Sequence, residues 1–295
     1  MIERALSFGA DSGKVGILTE PAPEDATATA PAVLMWNVGI QHRVGPYRIQ
    51  VDIARDLARR GFTSLRFDLS GMGDSAVTQD SRLDVERAVA DARDAMDLIE
   101  KRRGTSTFLP IGFCSSVDSA HRLAMDDARV AGACFLEGYA YPTRGYWLRY
   151  PLRLLNRERW QRYVASRLEG GIAGLRRGLR VDPLREERAA MGSVFARSVP
   201  TREAFGGDVR QLAARGTKML FVYVGGDTEF NHPGQFSEMI DGRPPAEVEI
   251  EYYDGADHTF FRVSDRERVV SRIGGWATRA FRDAMAVGAS VASGA

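Results

Sequence analysis

Short apolar runs alternate with longer amphipathic segments over most of the chain, and each type carries its own period. Ala32–Trp36, Thr63–Leu69, Phe108–Ile111, Val130–Leu136, Met219–Val224 and Val248–Tyr253 are brief and nearly continuous in apolar side chains, as expected for strands buried on both faces. Between them lie segments of helical period. The plainest is Leu83–Lys101, which places Val85, Ala88, Ala92, Ala95, Met96 and Ile99 on one face. Further helices are expected over 48–60, closed by Gly61, and over 115–128, 208–215, 234–240 and 265–285. Residues 3–19 alternate around an Asp-Ser-Gly-Lys turn and read as an antiparallel edge hairpin. Strands alternating with helices imply an α/β fold, a mostly parallel sheet with helices on both faces.

The rhythm breaks between Tyr141 and Phe205. This stretch carries many arginines, among them Arg144, Arg149, Arg153 and Arg157, interleaved with Tyr146, Trp147, Tyr150 and Trp160. It reads as a helical insertion, so the expected organisation is a core of residues 1–140 and 206–295 with an Arg-rich helical lid over 141–205. In that role Trp147, Arg149 and Arg153 would face the substrate. A solvated arginine face is the alternative.

Composition narrows the classes. With 44% hydrophobic and 27% charged residues among 295, the chain has the makeup of an ordinary globular protein. A net charge of +1 provides no general attraction to nucleic acid. Two cysteines are too few for a disulfide framework, and Met-Ile-Glu-Arg is not the start of a signal peptide. No apolar run approaches the length of a membrane span. A cytoplasmic location is expected.

The chemistry concentrates where the Phe108 strand meets the next helix, in Gly112-Phe-Cys-Ser-Ser116. A nucleophile on a strand–turn–helix elbow needs small residues two before and two after it. Gly112 and Ser116 meet that need around Cys114. Centring the elbow on Ser115 would place Phe113 and Val117 there, and centring it on Ser116 would place Cys114 and Asp118. Cys114 is therefore the candidate nucleophile, while Cys134, inside an apolar strand, reads as core filler. His258, in the polar loop after the last strand, is the candidate base. His121 and His232 lie elsewhere, and His42 is near enough in topology to contact substrate. The acid that orients the base stays open between Asp227, which follows the Met219 strand, and Glu137, which ends the Val130 strand. Glu229 is a further candidate close to Asp227, and Asp257 reads as a loop-structuring residue. Oxyanion donors are expected from the Ser115 backbone and from the loop at Val38, Gly39 and Ile40.

Gly-Phe-Cys-Ser-Ser at 112–116, His-Arg-Val-Gly-Pro at 42–46, Arg-Phe-Asp-Leu-Ser-Gly-Met-Gly-Asp-Ser at 66–75 and Gly-Ala-Asp-His-Thr-Phe at 255–260 together resemble the α/β-hydrolase superfamily. The likeness is to a bacterial branch with cysteine at the elbow, related to serine-aminopeptidase-like and exosortase-associated hydrolases. It covers roughly 30–140 and 215–285 and is weak in the insertion. Members of that branch more often carry glycine where Ser116 stands. The resemblance implies the α/β-hydrolase fold and covalent acyl transfer on an ester or thioester, as hydrolase, acyltransferase or cyclase, without a cofactor or metal. It implies a small-molecule acyl substrate, with an acyl- or peptidyl-carrier protein as a partner that the arginines would suit. A non-catalytic binding protein and an aminopeptidase-like hydrolase are the alternatives.

Overall fold

The computed structural model describes residues 1–9, 12–26, 29–78, 82, 84–150, 197–225 and 229–283. The apolar runs become strands β1 (Ile2–Phe8), β2 (Lys14–Glu20), β3 (Ala32–Met35), β4 (Ser64–Phe67), β5 (Phe108–Phe113), β6 (Gly132–Leu136), β7 (Lys218–Val224) and β8 (Val248–Tyr253). They form one sheet in the order β1-β2-β4-β3-β5-β6-β7-β8. The expected hairpin β1–β2 is antiparallel, and β2 joins β4 antiparallel. From β4 onward every pairing is parallel, with Gly112 opposite Phe135 and Phe135 opposite Phe221 in the middle of the sheet.

The helices are α1 (Ile49–Arg59), α2 (Asp84–Arg103), α3 (Ser116–Asp126), α4 (Arg144–Arg149), α5 (Arg202–Ala214), α6 (Gln235–Met239) and α7 (Val263–Ala280). Two apolar layers separate them by face. On one side α2, α3 and α5 cover a cluster that includes Trp36, Met96, Phe135 and Phe221. On the other, α1 and α7 pack on Met35, Phe62, Val222 and Trp276. Each fully buried Leu, Phe or Met contributes roughly 1.5–3 kcal/mol of transfer free energy, so the amphipathic stripe read along α2 is sufficient reason for its place on the sheet.

One boundary differs from the expectation. The helix expected from Asp208 begins at Arg202, because Thr201 caps it by accepting a hydrogen bond from Ala204 N–H at 3.2 Å. Phe205, 1% exposed, lies in the core against Phe221 and Phe236. Residues 202–205 are thus the first turn of a core helix rather than the end of the insertion. The central part of the insertion, 151–196 and with it Arg153, lies outside the described residues.

The two glycine-containing loops beyond β3 and β4 are tied together by Asp68, which is fully buried. Its carboxylate accepts from Arg43 N–H at 2.8 Å, Asp74 N–H at 3.1 Å and Asn37 Nδ2 at 3.2 Å, and it pairs with the Arg43 guanidinium. Asn37 Oδ1 in turn accepts from Leu69 N–H at 2.6 Å. Gly73 is required beside it: φ is +53°, and a Cβ there would lie 2.3 Å from Asp68 Oδ2. The motifs at 42–46 and 66–75 are therefore two halves of one brace. Asp68→Ala should lower the unfolding free energy by about 1–3 kcal/mol in urea titration, since it leaves the Asn37 amide and the Arg43 and Asp74 N–H groups without their acceptor. A loss below about 1 kcal/mol would show that other contacts hold these loops.

Candidate active site

The carboxyl edge of the parallel strands is where topology gathers the candidate residues. β5 ends at Phe113, and Cys114 follows it with φ +53°, a left-handed backbone that costs a non-glycine residue on the order of 1–3 kcal/mol. The neighbours make the turn feasible. A Cβ on Gly112 would stand 2.8 Å from Val117 Cα and 2.9 Å from Ala120 Cβ. The Ser116 hydroxyl accepts from Phe113 N–H at 2.7 Å and lies 3.0 Å from the Phe113 carbonyl, to which it donates. This gives the serine a specific use at the position two after Cys114. Cys114 N–H reaches across to the Leu136 carbonyl at 2.8 Å, so the elbow is also stitched to β6.

β6 ends in a second left-handed residue, Glu137, with φ +52°. Its N–H donates to the Val222 carbonyl at 2.8 Å, and its carboxylate Oε1 accepts from Val224 N–H at 2.6 Å. The other oxygen, Oε2, is 3.0 Å from His258 Nδ1. Glu137 is 5% exposed. Phe113 underlies the imidazole, with ring centroids 5.9 Å apart. Cys114 lies near enough to His258 for each to shift the other's proton affinity. Cysteine, histidine and glutamate thus meet from three consecutive structural levels: the ends of β5 and β6 and the loop after β8.

The electrostatics follow from that contact. Burial pushes the Cys114 thiol up, but the His258 hydrogen bond and charge, helped by Arg197 and the Ser115 N–H, hold it below its ordinary value. The bonds from Cys114 and Glu137 outweigh burial at His258 and raise it to about 10. Burial raises the Glu137 carboxyl, against the opposing pull of His258 and the Val224 N–H. Each group thus favours the charged form of the other, thiolate on Cys114 and imidazolium on His258. Cys134, by contrast, is fully buried and its thiol is pushed far up by desolvation.

Of the other expected residues, Asp227 lies outside the described residues. Glu229 is exposed, and Asp257 holds its own loop by accepting from Thr259 and Phe261 N–H groups at 2.9 and 2.8 Å. His121 is buried on α3, 3.3 Å from Asp208, and His232 lies 3.5 Å from Glu238. His42 is exposed and is absent from the cleft wall, as are Arg149 and Trp147. Arg149 donates to the Gly145 carbonyl of its own helix at 3.3 Å, and Trp147 stacks with Tyr146 and Tyr150.

That cleft encloses about 660 Å³ beside the elbow. Trp36, Ile40, Leu69, Met72 and Val85 give it an apolar wall, and Gly39 and Ser115 form its rim near Cys114. Its charged groups are mutually spent. Asp91 accepts from Ser70 and lies 3.3 Å from Lys14, and Asp118 binds Arg197 at 2.7 Å. Arg197 is the main residue the sequence reading missed. It also donates to the Gly138 carbonyl at 3.3 Å and covers the Tyr139 ring. Ser198 N–H adds a 2.8 Å bond to Asp118. The return of the chain from the insertion is thereby fastened to the first turn of α3. Only the placement of a polar Asp118 on that turn hinted at it. Among the described residues no cluster of His, Cys, Asp and Glu is suited to a metal ion, and no helix is long and apolar enough to cross a membrane.

Comparison with known proteins places the architecture. No family model matches the chain, and no curated protein matches it in sequence. Solved structures do. The α/β hydrolase GrgF of a Penicillium species aligns over 97% of this chain and 100% of its own, with 18% identity and a TM-score of 0.59. An esterase of Pyrococcus furiosus aligns over 94% and 91%, with 12% identity and a TM-score of 0.59. A proline iminopeptidase of Mycobacterium smegmatis aligns over 96% and 100%, with 14% identity and a TM-score of 0.58. The chain has the α/β-hydrolase fold.

The ion pair makes a pH prediction. Iodoacetamide should alkylate Cys114 with a pH profile displaced below that of an ordinary thiol. In Glu137→Gln the imidazolium loses a counter-charge, so the profile should move back upward in pH. A wild-type profile that climbs toward an ordinary thiol near about 8.5 would refute the pairing. Gly112→Ala should cost roughly 1–3 kcal/mol by overpacking the elbow and slow the same alkylation. Unchanged melting and labelling would mean the elbow yields more than its contacts indicate.

Proposed function

We propose that the protein is an enzyme that transfers or hydrolyses acyl groups of esters or thioesters through Cys114, with His258 as base and acid and Glu137 as the group that orients and charges it. One observation carries this reading: a left-handed elbow cysteine, electrostatically coupled to a histidine whose Nδ1 is 3.0 Å from a buried carboxylate.

The steps follow from the charges. The thiolate lone pair attacks the acyl carbon, and the carbonyl π pair moves to oxygen, beside the Ser115 N–H. Collapse of that adduct expels the leaving group, which takes the His258 proton. The thioester then lacks the negative sulfur that was the largest cause of the high imidazole affinity for its proton. His258 falls toward its ordinary value and becomes a base for water, an amine, an alcohol or a thiol. The same histidine is thus an acid in the first half and a base in the second.

The apolar wall of the cleft favours an uncharged acyl chain of modest size. An aminopeptidase reading, suggested by the neighbour of that activity, needs a free carboxylate for the substrate amine. Asp91 and Asp118 are already paired with cations, so it is the weaker reading. A carrier-protein partner would rest on the arginines of 151–196. A reducing compartment such as the cytoplasm suits a working thiolate.

Intact-mass analysis after incubation with a panel of acyl thioesters tests the proposal. An adduct on wild type that maps to Cys114, absent in Cys114→Ala together with turnover, is the expected result. No adduct from any donor, or unchanged turnover in Cys114→Ala, would overturn it.

A further inference from the structure

Ser115 begins the nucleophile helix, where a serine hydroxyl ordinarily accepts from an N–H of the first helical turn. It makes no such cap here. Its Oγ instead accepts a hydrogen bond from Gly39 N–H at 2.8 Å. The two residues belong to different loops and meet on the rim of the cleft. Gly39 reaches this place from a tight turn in which Val38 and Gln41 exchange backbone hydrogen bonds at 3.2 and 3.0 Å, with φ +55° at the glycine.

The neighbouring serines show how unusual this is. Ser116 Oγ is spent on both backbone groups of Phe113. Ser119 Oγ donates to the Ser116 carbonyl at 3.2 Å and accepts from Trp36 Nε1 at 2.9 Å. Ser115 Oγ only accepts. Among the described residues its own proton is directed at no protein group. A hydroxyl that accepts a hydrogen bond becomes a stronger donor through mutual polarisation.

We propose that the Ser115 side-chain O–H is the second direct donor to the oxyanion, and that Gly39, expected from sequence to donate directly, is a positioning residue that polarises it. The inference rests on the reading of Cys114 as the acyl-accepting nucleophile. In the step concerned, the sulfur pair forms the S–C bond and the carbonyl π pair becomes the third lone pair of the oxygen. That oxygen accepts from Ser115 N–H and Ser115 Oγ–H together. No proton leaves Ser115. When the adduct collapses, the pair returns to the carbonyl, the bond to the leaving group breaks and both hydrogen bonds relax. A serine side chain at this point would supply what two separate loops otherwise provide, and it would be held in line by the Gly39 bond.

Two reagents separate this role from damage to the elbow. Acylation of Cys114 by p-nitrophenyl acetate passes through an oxyanion, whereas alkylation by iodoacetamide displaces iodide at a saturated carbon and passes through none. Ser115→Ala should slow single-turnover acylation by roughly 10²-fold, the size of effect seen when one such donor is removed. Its alkylation rate should stay within about twofold of wild type, a difference too small to reflect a lost donor. Ser115→Thr, which keeps the hydroxyl, should restore most of the acylation rate. Acylation equal to or faster than wild type in Ser115→Ala would overturn the proposal, because Gly39 N–H would then serve directly once uncovered. Parallel loss of both reactions, without recovery in Ser115→Thr, would overturn it in favour of a purely structural hydroxyl. If wild-type Cys114 is alkylated but never acylated, the acyl-transfer reading itself fails, and this inference fails with it.

Discussion

A left-handed backbone at a non-glycine residue is the constraint on which this site depends. Cys114 adopts it where β5 stops, and the cost is met by contacts that leave the chain no alternative path. Gly112 admits the start of α3 against the strand, Ser116 folds its hydroxyl back onto Phe113, and the Cys114 N–H bonds to Leu136. Glu137 repeats the same conformation at the end of the adjacent strand. Two neighbouring parallel strands thus end in the same turn, and their side chains rise above the sheet edge side by side. His258, arriving from beyond β8, completes the group.

Position and charge are linked in this arrangement. Two groups, Cys114 and Glu137, each favour the protonated form of the imidazole, and Glu137 does so from 3.0 Å at Nδ1. Glu137 is fixed by the Val224 N–H, so the carboxylate remains in place whatever state the sulfur is in. In the proposed acyl transfer, acylation would remove one of these groups and leave the other, so the proton affinity of His258 would follow the progress of the reaction, the property a single acid–base residue needs to act in both directions.

Beside the elbow, the polar cleft is largely self-neutralised. Asp68 unites the loops at 37–43 and 68–74, and Asp118 ties Arg197 and Ser198 to the nucleophile helix. Both aspartates are buried and both spend their oxygens on backbone as well as arginine. The first holds the rim that carries Gly39. The second fastens Arg197 and Ser198 onto the start of α3.

Much of this was legible in the chain itself, because it depends on local patterns. Alternation of apolar runs with helical stripes determined the α/β architecture, and the stripe of α2 appears on the sheet as read. Small residues at Gly112 and Ser116 selected Cys114 among three registers, since the sterics of a tight turn act over a few residues. The polar loop after the last strand singled out His258. What needed the tertiary structure was every choice between residues distant in sequence. Glu137 and Asp227 are equivalent as carboxylates after strands, and only the packing of β6 beside β5 brings Glu137 to His258. Asp227 lies outside the described residues. Arg197 has no local signal at all, for it acquires its role by reaching Asp118 from 79 residues away. Likewise no property of Ser115 or Gly39 alone announces their bond. It exists because the sheet order places β3 beside β5, and hydrogen bonds between loops report the topology that aligned them rather than the sequence on either side.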